Sequence, residues 1–164
     1  MKQVTVYADG ACDATEEHGK NARGNGKWAA TLVYHSDEGD REKTIQGNVE
    51  DTTSNRMELT AVLEAFLLMT QPCEVRVVLD CDYILNVMNK GYSDVWLENG
   101  WKNAGGHPVK NQALWRKLLG LVKDHEVKWE WVSGPKDNEV NDQVTKLTEP
   151  TEMSDEPIQY GDLV

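Results

Sequence analysis

The chain has 164 residues, of which 39% are apolar and 27% charged, a composition typical of one folded domain and not of a disordered chain. No apolar run approaches the roughly 20 residues that a membrane-spanning helix needs, so we predict no association with a membrane. The net charge of −11 argues against a protein that binds nucleic acid through charge alone, unless several of the carboxylates hold divalent cations.

The first third of the chain has the pattern of β-strands. Apolar and polar residues alternate from Gln3 to Ala8, and Asp9 and Gly10 then favour a turn. The polar, glycine-containing segment Cys12–Gly26 predicts a loop. The three predicted strands are Gln3–Ala8, Trp28–Tyr34 and Lys43–Val49. Their short connections favour an antiparallel meander.

The rest of the chain alternates between helical and strand patterns. Apolar residues at helical spacing predict helices over Asn55–Met69, from Tyr83 to near Gly91, over Asn111–Lys123 and over Asn138–Lys146. Two further strands are predicted over Val75–Leu79 and Val127–Val132. Hairpins followed by crossover units indicate an α/β (α+β mixed) fold, in which helices pack on a mixed sheet.

The end of the chain differs in composition from the rest. After Lys146 it contains five acidic residues and two prolines but no lysine or arginine. Such a segment is typical of a solvated tail. We therefore predict a folded domain over residues 1–146 and an acidic, flexible tail over residues 147–164.

Four acidic residues lie at the ends of predicted elements. Asp9 and Asp80 end strands, while Glu58 and Asp142 lie in the first turns of helices. Each has a structural explanation when taken alone, as a turn residue, a helix cap or a charge near a helix N-terminus. If the first and fourth strands are parallel neighbours, however, Asp9 and Asp80 point into one crevice. A cluster of four carboxylates is costly unless cations bind there.

The chemistry of these four side chains indicates which cations would bind. All four offer oxygen ligands, without cysteine or histidine, which suits Mg²⁺ or Mn²⁺ better than Zn²⁺. Two Mg²⁺ ions would balance the four negative charges. Two such ions about 3.5–4 Å apart can activate a water and stabilise the leaving oxygen of a phosphodiester.

Seven segments, in this order and spacing, resemble the ribonuclease H family of the bacterial type I class. They are YADGAC (Tyr7–Cys12), TTSNRMEL (Thr52–Leu59), VVLDCDYI (Val77–Ile84), GWK (Gly100–Lys102), PVKNQALW (Pro108–Trp115), VKWEWV (Val127–Val132) and NEVND (Asn138–Asp142). The resemblance implies a five-stranded mixed sheet with flanking helices. It also implies endonucleolytic hydrolysis of the RNA strand of an RNA–DNA hybrid, which leaves 3′-hydroxyl and 5′-phosphate ends.

The resemblance assigns a role to each of the four acids. Asp9 would bridge two Mg²⁺ ions, or Mn²⁺ in their place. Glu58 and Asp80 would hold the ion on the side of the attacking water, and Asp142 would hold the other ion.

The resemblance also implies a set of substrate-binding residues: Thr53, Ser54, Asn55, Cys12, Trp96 and Lys102. Short donor and acceptor side chains at Ser54 and Asn55 would read the 2′-hydroxyls of RNA in the shallow minor groove. Thr53 would contribute to a pocket for a phosphate of the DNA strand. The cluster from Thr52 to Asn55 also has the composition of a helix N-cap, and the two roles are compatible. Trp96 and Trp101 could instead form a small core of their own.

Two segments depart from the family pattern. The family's histidine-containing loop before the last acid is reduced to Ser133–Asp137, which has no histidine, and Lys136 is an auxiliary candidate in its place. The segment Lys90–Lys110, where relatives have a basic protrusion, has three lysines against two acidic residues. We therefore expect weak, salt-sensitive binding of the hybrid.

Three further alternatives and the cellular setting complete the prediction. A four-acid exonuclease would have a second acid two residues after Asp9, where Ala11 stands instead. A binding module without catalysis would lack one or more of the four acids, and a purely structural protein would not need them at all.

The three cysteines are odd in number and lack CxxC spacing, which fits a reducing cytoplasm. We predict a cytoplasmic monomer that binds an RNA–DNA hybrid.

Overall fold

One five-stranded sheet and five helices are formed by residues 1–14 and 22–149, which are the residues described in the computed structural model. The strands are β1 (Lys2–Cys12), β2 (Gly24–His35), β3 (Arg41–Thr52), β4 (Cys73–Leu79) and β5 (Glu126–Trp131). The helices are α1 (Ser54–Leu67), α2 (Asp82–Asn89), α3 (Tyr92–Glu98), α4 (Gln112–Val122) and α5 (Gly134–Thr148). The predicted α/β architecture with a five-stranded mixed sheet is confirmed.

The sheet has the strand order β3-β2-β1-β4-β5. The hairpins β1–β2 and β2–β3 are antiparallel, whereas β4 runs parallel to β1, and β5 runs parallel to β4. Tyr7 lies opposite Val78 in the last pair between β1 and β4. The chain therefore leaves these two central strands at the same edge of the sheet, where α/β folds usually place their functional groups.

Helices cover both faces of the sheet. On one face, α1, α2 and α4 bury the main core, which includes Val6, Phe66 and Trp115 at 0% exposure. On the other face, α5 buries a smaller cluster: Tyr7, Ala29, Val33, Val78, Val140 and Val144. Successive side chains of β1 alternate between these two clusters because a strand presents its residues to opposite faces in turn.

Helix α5 differs from the prediction at both ends. It begins at Gly134 with Ser133 as its N-cap residue, so the predicted loop Ser133–Asp137 is wrong: most of that segment is the first helical turn. Pro135 fits this turn because its missing N–H would have had no partner within the helix. The helix ends at Thr148 and therefore includes two residues that were assigned to the tail. Residues 150–164, the rest of that predicted tail, lie outside the described residues.

A short helix and parts of two strands were missed. Helix α3 (Tyr92–Glu98) has one buried residue, Ser93, while Val95 and Leu97 are exposed, so its sequence lacks the apolar stripe that predicts a helix. Strands β1 and β2 extend into the segment Cys12–Gly26, which was predicted to be a loop. Among the described residues, no helix combines the length and the apolar content that crossing a membrane requires.

Candidate active site

Asp9 and Asp80 lie side by side at the edge where β1 and β4 part. Asp80 follows β4 directly, as predicted, whereas Asp9 lies inside β1, which pairs with β2 as far as Cys12. The prediction that Asp9 ends its strand is therefore wrong, because β1 continues to pair with β2. Asp9 does, however, lie beyond the last pair between β1 and β4. Each acid is two residues beyond the last β1–β4 pair, Tyr7 with Val78. Burial and, after it, the charge of Asp80 raise the pKa of Asp9.

Glu58 reaches this edge because α1 comes very close to β1. A Cβ atom built on Gly10 would lie well under 3.0 Å from backbone atoms of Met57 and Glu58, so only glycine allows the two backbones to approach this far. Because α1 begins at Ser54, Glu58 lies in the second helical turn, and its predicted place in the first turn is wrong. The close approach puts the backbone of Glu58 next to the residue that follows Asp9.

The half-buried thiol of Cys81 lies among three of the acids. Burial is the largest cause that raises its pKa, and the neighbouring Glu58, Asp80 and Asp9 raise it further. A thiol that responds to all three carboxylates shows that these acids share one region of the molecule. The structure thus places Asp9, Glu58 and Asp80 in one region of the molecule, and their predicted role as a shared metal site stays a prediction.

The fourth acid, Asp142, lies on α5 with its side chain exposed. Since α5 begins at Gly134, Asp142 lies in the middle of the helix, and its predicted place in the first turn is wrong. The buried neighbour, Asn141, contacts the acids instead: its Nδ2 donates to Asp80 Oδ2 at 3.1 Å. The role of Asp142 therefore stays a prediction.

A second contact from α5 was also missed by sequence reasoning. The Thr148 hydroxyl donates to Asp9 Oδ2 at 3.0 Å. Thr148 and Asn141 are both buried, with 3% and 6% exposure. In the sequence, polar residues stand at helical spacing beside the apolar Val140 and Val144. This pattern could have indicated that this face of α5 makes polar contacts.

The donor set suits a hard divalent cation. Asp9 and Asp80 contact neutral donors, and neither forms an ion pair with a basic side chain of residues 1–14 and 22–149. Two adjacent carboxylates without a basic partner are stabilised by a cation that accepts oxygen ligands. As arranged, the described residues contain no group of three or more histidine, cysteine, aspartate or glutamate side chains that could hold a metal ion.

The substrate-binding candidates on α1 lie one helical turn before Glu58. The Thr53 side chain accepts from the backbone N–H of Arg56 at 3.2 Å and caps the helix, so the N-cap interpretation is correct for this residue. Ser54 and Asn55 are half-buried in the first turn. Cys12 is half-buried on β1, and its thiol donates to the carbonyl oxygen of Thr52 at 3.4 Å.

The remaining candidates lie in and after α3. The ring centroids of Trp96 and Trp101 are 6.1 Å apart, and those of Trp96 and Trp115 are 5.5 Å apart. The guanidinium of Arg116 lies over the Trp101 ring at 4.8 Å. Trp101 is buried and belongs to the main core, with Trp96 packed against it, so the predicted separate small core is wrong. Lys102 is exposed and pairs with Pro108 in an isolated bridge.

Lys136 lies apart from the acids. Its ammonium is 3.4 Å from Asp40 Oδ2, in the connection between β2 and β3. That connection follows His35, which pairs with Gln3 at the beginning of β1, so it lies at the opposite edge of the sheet from Asp9. The structure therefore does not bring the auxiliary candidate to the predicted site.

Comparisons with known proteins identify the family of this chain. The family model described as RNase H matches residues 1–151. The chain belongs to the ribonuclease H family. A ribonuclease H of Acetivibrio thermocellus is 39% identical over 147 residues, which covers 90% of this chain and 92% of the relative. A ribonuclease H of Ralstonia nicotianae is 41% identical over 165 residues and covers 98% and 99% of the two chains.

Solved structures of the ribonuclease H fold are also similar. The crystal structure of LC9-RNase H1, described as a type 1 RNase H with the type 2 active-site motif, has a TM-score of 0.74 at 29% identity and covers 90% of this chain and 71% of that one. A foamy viral protease-reverse transcriptase in complex with an RNA/DNA hybrid shares the fold alone, with a TM-score of 0.67, 20% identity and coverage of 88% and 19%. The chain is thus a nuclease and hydrolase of the ribonuclease H family.

Proposed function

We propose that this ribonuclease H hydrolyses the RNA strand of RNA–DNA hybrids internally, with two divalent cations, and leaves 3′-hydroxyl and 5′-phosphate ends. The observation that carries the proposal is the placement of Asp9, Glu58 and Asp80 in one region at one edge of the sheet, where the carboxylates of Asp9 and Asp80 accept from neutral donors. Such a site has a surplus of negative charge that divalent cations can balance.

The acids would hold the cations in distinct roles. Asp9, Glu58 and Asp80 would hold the cations from β1, α1 and the end of β4, and Asp142 would contribute a further ligand from α5. When bound, Mg²⁺ or Mn²⁺ lowers the pKa of a water and stabilises the charge that develops on the leaving oxygen. The close backbone approach at Gly10 keeps the backbone next to Asp9 close to that of Glu58.

Recognition of the RNA strand would come from the N-terminus of α1. Ser54 and Asn55 precede Glu58 by one turn, so groups that read 2′-hydroxyls would lie close to the scissile phosphate. Thr53, whose side-chain oxygen accepts the capping hydrogen bond, would contact a DNA phosphate, and Cys12, Trp96 and Lys102 would flank the hybrid. The foamy viral protein of the same fold, which is in complex with an RNA/DNA hybrid, is consistent with this substrate class.

The domain boundary and the molecular state belong to the same proposal. Since α5 continues to Thr148, we place the end of the catalytic domain at the end of this helix and not at Lys146. We propose that the protein acts as a monomer in the cytoplasm. The three cysteines, all free, are consistent with a reducing compartment.

A cleavage assay on end-labelled substrates tests the proposal. Equal lengths of RNA–DNA hybrid, duplex RNA and duplex DNA are incubated with the protein and Mg²⁺, and again with a chelator. We expect internal cuts in the RNA strand of the hybrid alone, only with Mg²⁺, and 5′-phosphate ends on the products. Cleavage from the ends, cleavage of duplex DNA, or cleavage that persists with chelator would contradict the proposal.

A further inference from the structure

Two polar side chains on α5 contact the carboxylates of the site, and the roles proposed for the four acids do not account for them. The Thr148 hydroxyl lies 3.0 Å from Asp9 Oδ2, and the Asn141 amide nitrogen lies 3.1 Å from Asp80 Oδ2. Each donor therefore contacts one of the two acids that lie just beyond the last pair between the parallel strands β1 and β4.

The contact from Thr148 competes with a local one. Its hydroxyl also lies 2.9 Å from the carbonyl oxygen of Thr145, and a hydroxyl has a single hydrogen to donate. A hydrogen bond to a charged acceptor is about twice as strong as one between neutral groups, so an ionised Asp9 is the better acceptor. When Asp9 binds another group instead, the bond to the Thr145 carbonyl oxygen keeps the Thr148 hydroxyl in place.

Helix α5 is well fixed, so its donors are fixed as well. Near its beginning, Asp137 accepts from the guanidinium of Arg76 at 2.9 and 2.6 Å and from the Tyr7 hydroxyl at 2.8 Å. Further along, Val140 and Val144 pack in the cluster against the sheet. A donor on such an element holds a carboxylate in one orientation at little entropic cost.

Neutral donors also preserve the charge that a cation needs. A lysine or arginine in their place would neutralise the carboxylate and compete with the cation. A hydroxyl and an amide orient the carboxylate and leave its negative charge available. The buried Oδ1 of Asn141 has no hydrogen-bond partner among the described residues, so its amide is not held by any competing contact there.

We propose that Thr148 and Asn141 are positioning residues, which hold Asp9 and Asp80 in the orientation that binds divalent cations. This inference rests on the proposed function because it concerns the same acids. It assigns no contact between these two residues and the substrate. It also makes the last turn of α5 part of the site.

Titration of Mg²⁺ into the full chain by calorimetry tests the proposal without an activity measurement. The variant Thr148→Val keeps the shape of the side chain and removes the hydroxyl, whereas Thr148→Ser keeps the hydroxyl. Loss of such an outer partner typically weakens metal binding 10- to 100-fold, so we expect at least about a tenfold weaker affinity for Thr148→Val and near-parent affinity for Thr148→Ser. Asn141→Ala should weaken Mg²⁺ binding in the same direction.

A matched control separates positioning from general destabilisation. Thr31 is also a buried threonine, and its hydroxyl bonds with Thr44 Oγ1 at 2.8 Å, away from the acids. Thr31→Val should leave the Mg²⁺ affinity unchanged. In an Asp9→Asn background, Thr148→Val should have little further effect, because the carboxylate that Thr148 orients is then gone.

The possible outcomes distinguish this inference from the proposed function. If the parent protein cleaves hybrids with Mg²⁺ but Thr148→Val binds Mg²⁺ as the parent does, the positioning role is refuted and the function stands. If the parent binds Mg²⁺ and Thr148→Val weakens that binding, but hybrids stay uncut, the positioning role stands and the function is refuted. Equal weakening by Thr31→Val would also refute the positioning role.

Discussion

Asp137 joins the first turn of α5 to the sheet and is the most strongly bonded carboxylate described. Besides the bonds from Arg76 and Tyr7, it accepts from the backbone N–H of Ser133 at 3.1 Å. The bond from Arg76 is the largest cause that lowers the pKa of Asp137 to about 2. Burial raises the pKa of Tyr7 to about 12, so this hydroxyl remains a donor at neutral pH.

Replacing Asp137 should therefore destabilise the protein in a pH-dependent way. The pKa of Asp137 is lower in the folded chain than the roughly 3.9 of an unfolded one, so its ionised form stabilises the fold above pH 4. This contribution is lost as pH falls from about 4 through about 2. We expect Asp137→Asn to lower the free energy of unfolding by about 2 kcal/mol at pH 7, measured by urea titration.

The same urea titrations at lower pH provide the control. The difference in unfolding free energy between the parent and Asp137→Asn should shrink between pH 4 and pH 3, as the parent carboxylate begins to lose its advantage. A difference that stays constant over this range would show that the stabilisation does not come from the ionised carboxylate.

Some residues of the site could be predicted and others could not, for physical reasons. Asp9 and Asp80 follow from strand patterns, because parallel neighbours end at one edge. Thr148 was assigned to the tail, because the acids and the proline after it signal a helix end earlier than the structure shows. Asn141 was not predicted, because the sequence does not indicate which group a single polar residue on an apolar helix face contacts.

The packing of α5 determines where this helix ends. Leu147 and Thr148 lie within the helix, although the sequence predicted a tail from Leu147 onward. Helix ends depend on tertiary contacts that sequence patterns do not show, here the bond to Asp9 on a distant strand. The mixed character of the sheet, by contrast, was implied by hairpins followed by crossover units, whereas its strand order comes from the structure alone.

Two truncations test this view of α5. A chain that ends after Glu149 retains the whole helix and should bind Mg²⁺ and cleave hybrids as the parent does. A chain that ends after Lys146 loses the Thr148 hydroxyl and should bind Mg²⁺ at least about tenfold more weakly. Calorimetry on both chains measures the effect, and equal affinities would show that the last turn of α5 is dispensable.

The excess of acidic over basic residues in the whole chain limits how tightly a polyanion can bind. The net charge is −11, and the segment Lys90–Lys110 has one net positive charge. Binding of nucleic acid releases counterions in proportion to the number of phosphates that are neutralised. We therefore expect the segment Lys90–Lys110 to neutralise few phosphates of a bound hybrid.

Binding of a hybrid at several salt concentrations should reveal this limit. In the presence of chelator, so that no strand is cut, we expect micromolar affinity and a slope of about −2 to −3 in log affinity against log salt, as for a few phosphate contacts. Fluorescence anisotropy with a labelled hybrid measures both quantities. Nanomolar affinity with a steep slope would contradict this prediction.

Replacement of Asp9, which accepts from Thr148 and is influenced by the charge of Asp80, tests most directly whether these carboxylates carry the reaction. Asp9→Asn keeps the shape of the side chain and removes a charge next to Asp80, so the fold should be at least as stable. With Mg²⁺ in excess, we expect the rate of cleavage of the RNA strand to fall by about 10³-fold or more, equal to several kcal/mol of lost charge stabilisation. Cleavage by Asp9→Asn at the parent rate would contradict the central claim that these carboxylates and their cations carry the reaction.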